Sequence, residues 1–195
     1  MARPRLRVIA GTAGGRRLTA PAGTTARPTT DRVKESLFAA LGDDRLRAAS
    51  LLDLYAGSGA LAIEALSRGA AGALLVERDP DAVAAIERNL EATGFGDRAG
   101  VRRLDVGRFL GGAPPPAAPF TLVFLDPPYD TPAAAITAVL GQLAAPGWLA
   151  PGATVVVERG AGGDPPTFPA AWAITWERAY GDTLLSVATA GEPTA

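Results

Sequence analysis

The chain has 195 residues, 48% of them hydrophobic and 20% charged, which is enough for one buried core and too apolar for a disordered chain. With no histidine and no cysteine, it excludes Ser-His-Asp and Cys-His nucleophilic sites, thiolate chemistry, disulfides, and zinc or haem held by imidazole or thiolate. The net charge of −1 divides unevenly: residues 1–34 carry eight basic side chains (Arg3, Arg5, Arg7, Arg16, Arg17, Arg27, Arg32, Lys34) and one acid, a balance of +7, against −8 for the other 161 residues.

A basic arm on an acidic body is a pattern of nucleic-acid binding, although a merely solvated arginine-rich terminus has the same composition. Arg5 to Ile9 alternates, with Arg3, Arg5 and Arg7 on one strand face and Leu6 and Val8 on the other. Gly11 to Gly15 supplies turn chemistry before Arg16-Arg17-Leu18-Thr19, so a basic β-hairpin is expected. Residues 1–30 are read as this hairpin and its link, 31–189 as the main domain and 190–195 as a tail. A helix starts near Thr30 or Asp31 and buries Val33, Leu37, Phe38 and Leu41.

From residue 50 strands and helices alternate. Leu51–Leu54 precedes a helix over 60–68; Ala73–Val76 precedes a helix with Asp79 as N-cap and Pro80 first, burying Val83, Ile86 and Leu90. Strands follow at Val101–Leu104 and Thr121–Leu125, then a helix capped by Thr131 with Ile136, Val139, Leu140 and Leu143 inward, then a strand at Thr154–Val157. Repeated strand-helix units imply a parallel sheet covered on both faces. The last runs, Ala173–Arg178 and Thr183–Ala188, are joined through Tyr180-Gly181-Asp182, a connection so short that the strands must be antiparallel. The longest uncharged stretch, Thr131–Val157, is broken by three prolines and three glycines and is no membrane helix. Met1–Arg5 leads into no apolar run, so a cytoplasmic protein with no membrane partner is expected.

Two motifs carry chemistry. Asp53-Leu54-Tyr55-Ala56-Gly57-Ser58-Gly59-Ala60 leaves a buried strand, turns through two glycines and enters a helix, which lets backbone approach a ligand. A carboxylate at Asp53 repels a pyrophosphate and attracts an ammonium, which favours S-adenosylmethionine over NAD. Glu77, 20 residues after Gly57, ends the next strand where ribose hydroxyls are bound in both kinds of fold. Asp105, after the third strand, is placed either to accept from an adenine amino group or to cap a helix. The second motif, Asp126-Pro127-Pro128-Tyr129, follows the apolar strand 122–125. Its prolines stiffen the backbone and remove N–H donors, so the carboxylate and carbonyls form an accepting rim suited to an exocyclic amine. Tyr129 offers its ring as a face on which an extruded base stacks.

Arg27 to Phe38, Leu52 to Leu61 with Glu64 to Ala70, and Asp126 to Tyr129 together resemble the RsmD family, bacterial methyltransferases that modify the N2 amino group of a guanine in 16S ribosomal RNA. The resemblance runs from about Val8 to Val187, and its departures are confined to linkers, chiefly 111–119. It implies a Rossmann-like α/β fold: a mostly parallel seven-stranded sheet with a C-terminal antiparallel hairpin and the basic N-terminal hairpin. It implies S-adenosylmethionine as donor, S-adenosylhomocysteine as product and no metal. Asp53, Tyr55, Gly57, Gly59, Glu77 and Asp105 would line the donor site, and Arg27, Pro28 and Thr29 would close over the methionine end. Asp126 would orient guanine, with Pro127, Pro128 and Tyr129 completing the catalytic element. Arg3, Arg5, Arg7, Arg16 and Arg17 would dock 16S RNA, within the small subunit or an assembly intermediate, for a monomeric enzyme. The rivals are an adenine-N6 methyltransferase of DNA or RNA, which the Asp-Pro-Pro-Tyr element permits, an NAD-binding oxidoreductase, and a non-catalytic RNA-binding assembly factor.

Overall fold

The computed structural model describes residues 6–22 and 30–191. Arg3, Arg5, Arg27, Pro28 and Thr29 lie outside the described residues.

Helix α1 (Asp31–Leu46) begins where Thr30 accepts from the Val33 N–H at 3.4 Å, and it kinks at Gly42. Strand β1 (Ser50–Leu54) runs through the glycine turn into α2 (Ala60–Ser67), and β2 (Gly72–Glu77) leads to α3 (Pro80–Thr93). Asp79 caps α3 through the Asp81 and Ala82 N–H groups, with Pro80 at the first turn and Gly94 ending the helix in the left-handed region. Then come a 3-10 turn (Gly96–Arg98), β3 (Ala99–Arg103), the short α4 (Val106–Leu110), β4 (Phe120–Leu125), α5 (Ala133–Leu143), β5 (Leu149–Gly160), β6 (Ala173–Tyr180) and β7 (Thr183–Thr189).

The strands form one sheet in the order β3-β2-β1-β4-β5-β7-β6. All pairs from β3 to β5 are parallel, and both pairs made by β7 are antiparallel. Because successive residues of a strand face opposite sides, Leu51, Leu75, Leu122 and Phe124 pack under α1, α2 and α3. Their neighbours Leu52, Leu54, Val76, Val123 and Leu125 pack under α4 and α5. The direction of succession reverses between β1 and β4, so the crevice of such a sheet opens at the carboxyl ends of these two strands.

Among the described residues the expected hairpin is a turn closed by one isolated antiparallel bridge rather than by two strands, and it is fastened to the body. Arg7 bridges Arg17 in antiparallel fashion, with Val8 N–H donating to the Arg16 carbonyl at 2.9 Å and Leu18 N–H to the Leu6 carbonyl at 2.8 Å. Val8, Ala13 and Leu18 are buried in the same core as α1 and α2. Glu64 of α2, fully buried, accepts from the Ile9 and Ala10 N–H groups at 2.6 and 3.0 Å and from Arg68 Nε at 2.7 Å. At the turn, Gly11 has φ of +81°, and a Cβ there would sit 2.0 Å from the Ser67 carbonyl oxygen, so only glycine fits.

Two expectations are corrected. Thr131 does not cap α5: the cap is Pro132, and the Thr131 N–H donates to the Pro128 carbonyl at 2.9 Å. Val83 is only half-buried, because the inward face of α3 runs Ala82, Ala85, Ile86, Asn89, Leu90 and Thr93, with the polar Asn89 drawn in by its hydrogen bonds.

Candidate active site

A cavity of about 520 Å³ opens at the carboxyl ends of β1, β2 and β4. Asp53, Tyr55, Gly57, Glu77, Asp105, Asp126, Pro127, Pro128 and Tyr129 all line it, so residues spread over 77 positions of sequence meet around one space. Gly59 does not line it; it stands at the N-cap of α2 with φ of +75°, where a Cβ would press on Leu75 at 3.1 Å.

Asp53 is 1% exposed and accepts from the Ala62 N–H of α2 at 3.2 Å. Burial, with Glu77 adding repulsion and the Ala62 N–H opposing, pushes its carboxyl up to about 7. Tyr55 adopts φ of +60°, an uncommon conformation for a bulky residue, and so turns the chain sharply out of β1. Its phenol is held above the ordinary range by burial and by Asp105.

Glu77 is built into the glycine turn. Its Oε2 accepts from the Gly57 N–H at 2.9 Å, and its Oε1 from the Arg78 and Asp79 N–H groups at 2.7 and 2.9 Å. A carboxylate offers about four acceptor positions, so this arrangement leaves about one for an incoming donor rather than the two that a pair of ribose hydroxyls would use. Asp105 is the N-cap of α4, accepting from the Arg108 N–H at 3.2 Å, and it also lines the cavity. Both alternatives read for this residue are therefore structurally compatible. Leu104, Val106 and Val76 give that end of the cavity an apolar wall.

Asp126 follows β4 directly, its N–H reaching the Leu54 carbonyl at 3.4 Å, so it stands beside the end of β1. Burial raises its carboxyl well above the usual range, and Glu158 and Asp53 raise it further. Pro127 is buried and Pro128 exposed, and the Pro128 carbonyl is already taken by Thr131. The accepting rim thus consists mainly of the Asp126 carboxyl and the Pro127 segment. Tyr129, 49% exposed, stands at the cavity mouth.

Two contributors were not among the residues singled out from the sequence. Glu158, 3% exposed in β5, reads there as one charge ending an apolar strand, yet it lies close enough to influence Asp126 and accepts from the Tyr129 hydroxyl at 3.4 Å. Asn89 donates to the Ser58 carbonyl at 2.9 Å and so holds the glycine turn from below. A polar residue on the inward stripe of α3 was the available clue.

The described arginines of the hairpin differ in availability. Arg7 is half-exposed and pairs with Asp31 at 2.8 Å; Arg16 donates to the Ala92 carbonyl; Arg17 is exposed. Lys34, counted in the +7 segment, is 1% exposed and donates to the Arg7 carbonyl at 2.6 Å, so it is a structural cation.

Known proteins resemble this chain in sequence and in fold. The ribosomal RNA small subunit methyltransferase D of Escherichia coli K12 is 37% identical over 176 residues, covering 90% of this chain and 85% of its own length. The protein of the same name from Haemophilus influenzae is 35% identical over 158 residues, covering 80% of each chain. The solved structure of yhhF from Escherichia coli matches with a TM-score of 0.84 and 36% identity, covering 96% of this chain and 99% of that one. An RNA methyltransferase from Salinibacter ruber, solved with S-adenosyl-L-homocysteine, matches with a TM-score of 0.63 at 22% identity, covering 86% of this chain and 96% of that one, a likeness of fold alone. The family model described as Conserved hypothetical protein 95 matches residues 6–189. This chain therefore belongs to that family, the RsmD family.

Proposed function

We propose that the chain is an S-adenosylmethionine-dependent methyltransferase acting on the exocyclic N2 amine of a guanine in 16S ribosomal RNA. The observation that carries the reading is that Asp126 and Tyr129 open onto the same cavity as Asp53, Gly57 and Glu77. An amine-accepting rim and a donor pocket of the expected chemistry thus share one space. The Escherichia coli and Haemophilus influenzae relatives are named ribosomal RNA small subunit methyltransferases, and the small-subunit substrate in that name is the one assigned here.

The cavity fits the donor on its own chemistry. Asp53 supplies a buried carboxylate for an ammonium, Glu77 about one acceptor position for a ribose hydroxyl, Asp105 a carboxylate near the apolar wall, and the wall itself a slot for a flat ring. When bound, the donor supplies a methyl group already activated by the sulfonium. The chain's task is then orientation and electrostatics. The Asp126 carboxyl accepts from the N1–H or N2–H of guanine, draws the amine hydrogens out of the ring plane and frees the lone pair. Because burial and Glu158 disfavour its charge, Asp126 ionises most readily when those N–H donors face it, which links base capture to proton release. Pro127 holds the carboxyl at a fixed angle, and the Tyr129 ring stacks against the extruded base. Arg7, Arg16 and Arg17 dock the RNA backbone. The enzyme works as a monomer in the bacterial cytoplasm, on the small subunit or an assembly intermediate.

Methyl transfer from labelled donor to purified small subunits, free 16S RNA and DNA, followed by digestion to nucleosides, tests this. N2-methylguanosine from the RNA samples is the expected product. N6-methyladenosine would replace the reading with the adenine rival, and donor binding without transfer would leave a non-catalytic RNA-binding protein.

A further inference from the structure

Tyr129 is oriented from its far end. The residue is half-exposed at the cavity mouth, but its hydroxyl turns back into the sheet, where it pairs with Thr183 Oγ1 at 3.0 Å and donates to Glu158 Oε1 at 3.4 Å. One proton assignment satisfies both contacts: Thr183 donates to the phenol oxygen, and the phenol donates to the carboxylate. Thr183 is the first residue of β7 and pairs with Gly160 of β5, two positions beyond Glu158. The anchor is thus the β5–β7 pair rather than the flexible tip of a loop. The phenol is held above its ordinary range, chiefly by burial, so it stays protonated and able to donate at neutral pH.

The ring of a half-exposed tyrosine turns about two torsions, and stacking requires one plane. Sequence patterning assigns Tyr129 through its ring alone and would treat phenylalanine as a mild replacement. The hydroxyl contacts add a second role to the ring. We infer that Thr183 and Glu158 are positioning residues for methyl transfer, fixing the plane of the Tyr129 ring through its hydroxyl so that the base is presented at one angle. The inference rests on the stacking reading of Tyr129 above. It gives the antiparallel end of the sheet a role in the reaction that its distance from the glycine turn conceals.

Steady-state kinetics on 16S RNA substrate, donor titration and thermal unfolding of Tyr129→Phe, Thr183→Val and the double variant separate orientation from stability. Each single substitution is expected to lower kcat about tenfold, the scale of a slight misplacement of a reacting group, with donor affinity unchanged. Because both cut one chain of hydrogen bonds, the double variant should be no slower than the singles. Thr183→Ser, which keeps the hydroxyl, should recover most of the rate. Wild-type kcat in Tyr129→Phe or Thr183→Val, rate losses that multiply in the double variant, or a fall in melting temperature with kcat per folded molecule intact would each overturn the anchor. Full turnover in Tyr129→Ala would remove the stacking reading itself, a result distinguishable from all of these.

Discussion

Asn89 clasps the backbone of Thr19 on both sides: the Thr19 N–H donates to its Oδ1 at 2.7 Å, and its Nδ2 donates to the Thr19 carbonyl at 2.9 Å. The same Nδ2 reaches the Ser58 carbonyl at 2.9 Å, so one buried amide joins the end of the basic hairpin to the glycine turn. Asn89→Ala leaves three backbone groups without partners and should cost about 2–4 kcal/mol, read as a lower urea midpoint at unchanged slope. Asn89→Asp keeps the acceptor but sets a negative charge against two carbonyls, and should be at least as destabilising. A Gln at this position that matched wild type would mean that the fit of the clasp is not specific.

Asp53 gives a pH signature in which stability and affinity move in opposite senses. Its carboxyl titrates near 7 in the fold and near 3.9 in an unfolded chain. Between about pH 4 and 7 the folded protein therefore holds a proton that the unfolded chain has lost. This group's contribution to stability is full below about pH 4 and drains away as pH rises to about 7. Asp53→Asn, neutral throughout, should gain on wild type across that window, by about 1–3 kcal/mol at pH 7.5 and by little at pH 4. The same variant should bind S-adenosylmethionine about 10- to 150-fold more weakly at pH 7.5, for loss of a charge-assisted hydrogen bond. Urea unfolding and calorimetric titration at both pH values check the two halves. A variant that gains stability yet keeps full affinity would place the donor's ammonium elsewhere.

Asp126 should separate turnover from donor binding. Asp126→Ala is expected to lower kcat by roughly 100-fold or more, the scale of losing a positioned electrostatic partner, with donor affinity nearly unchanged because the carboxyl is assigned to the base. Asp126→Asn retains one acceptor oxygen and should fall between. Single-turnover rates measured at saturating donor distinguish this from weakened binding.

The hairpin arginines should set the salt dependence of RNA binding. If Arg3, Arg5, Arg7, Arg16 and Arg17 each meet a phosphate, log affinity against log salt should slope at about −3.5 to −4.5. Replacing all five by Gln should flatten that slope. Because Arg7 also pairs with Asp31 and Arg16 with the Ala92 carbonyl, donor affinity and melting temperature need measuring alongside. An unchanged slope would show the arginines to be merely solvated.

The strand-helix alternation was legible because apolar runs, the Asp79-Pro80 start and the glycine turn are local signals, and the structure places each within a few residues of the reading. Of the short α4 only the cap, Asp105, was legible, because five residues between a cap and a glycine carry no helical period. Asp53, Glu77 and Asp126 were legible as strand-end carboxylates. What Glu77 does with its oxygens was not, since its three backbone partners lie in a turn whose folding sequence spacing does not specify. The roles of Glu158, Thr183 and Asn89 were not legible for a related reason: each acts through partners 29 to 70 positions away, and only the closed sheet brings them together.

The strand order has a consequence for how the molecule is completed. β7 lies between β5 and β6 although both precede it in the chain, so the earlier strands cannot take their final neighbours until residues 183–189 have been made. A nascent chain ending before Thr183 would expose the edge of β5 and lack the hydroxyl that ties down Tyr129. The surface around the Tyr129 hydroxyl is therefore finished only once residues 183–189 have been made and paired with β5.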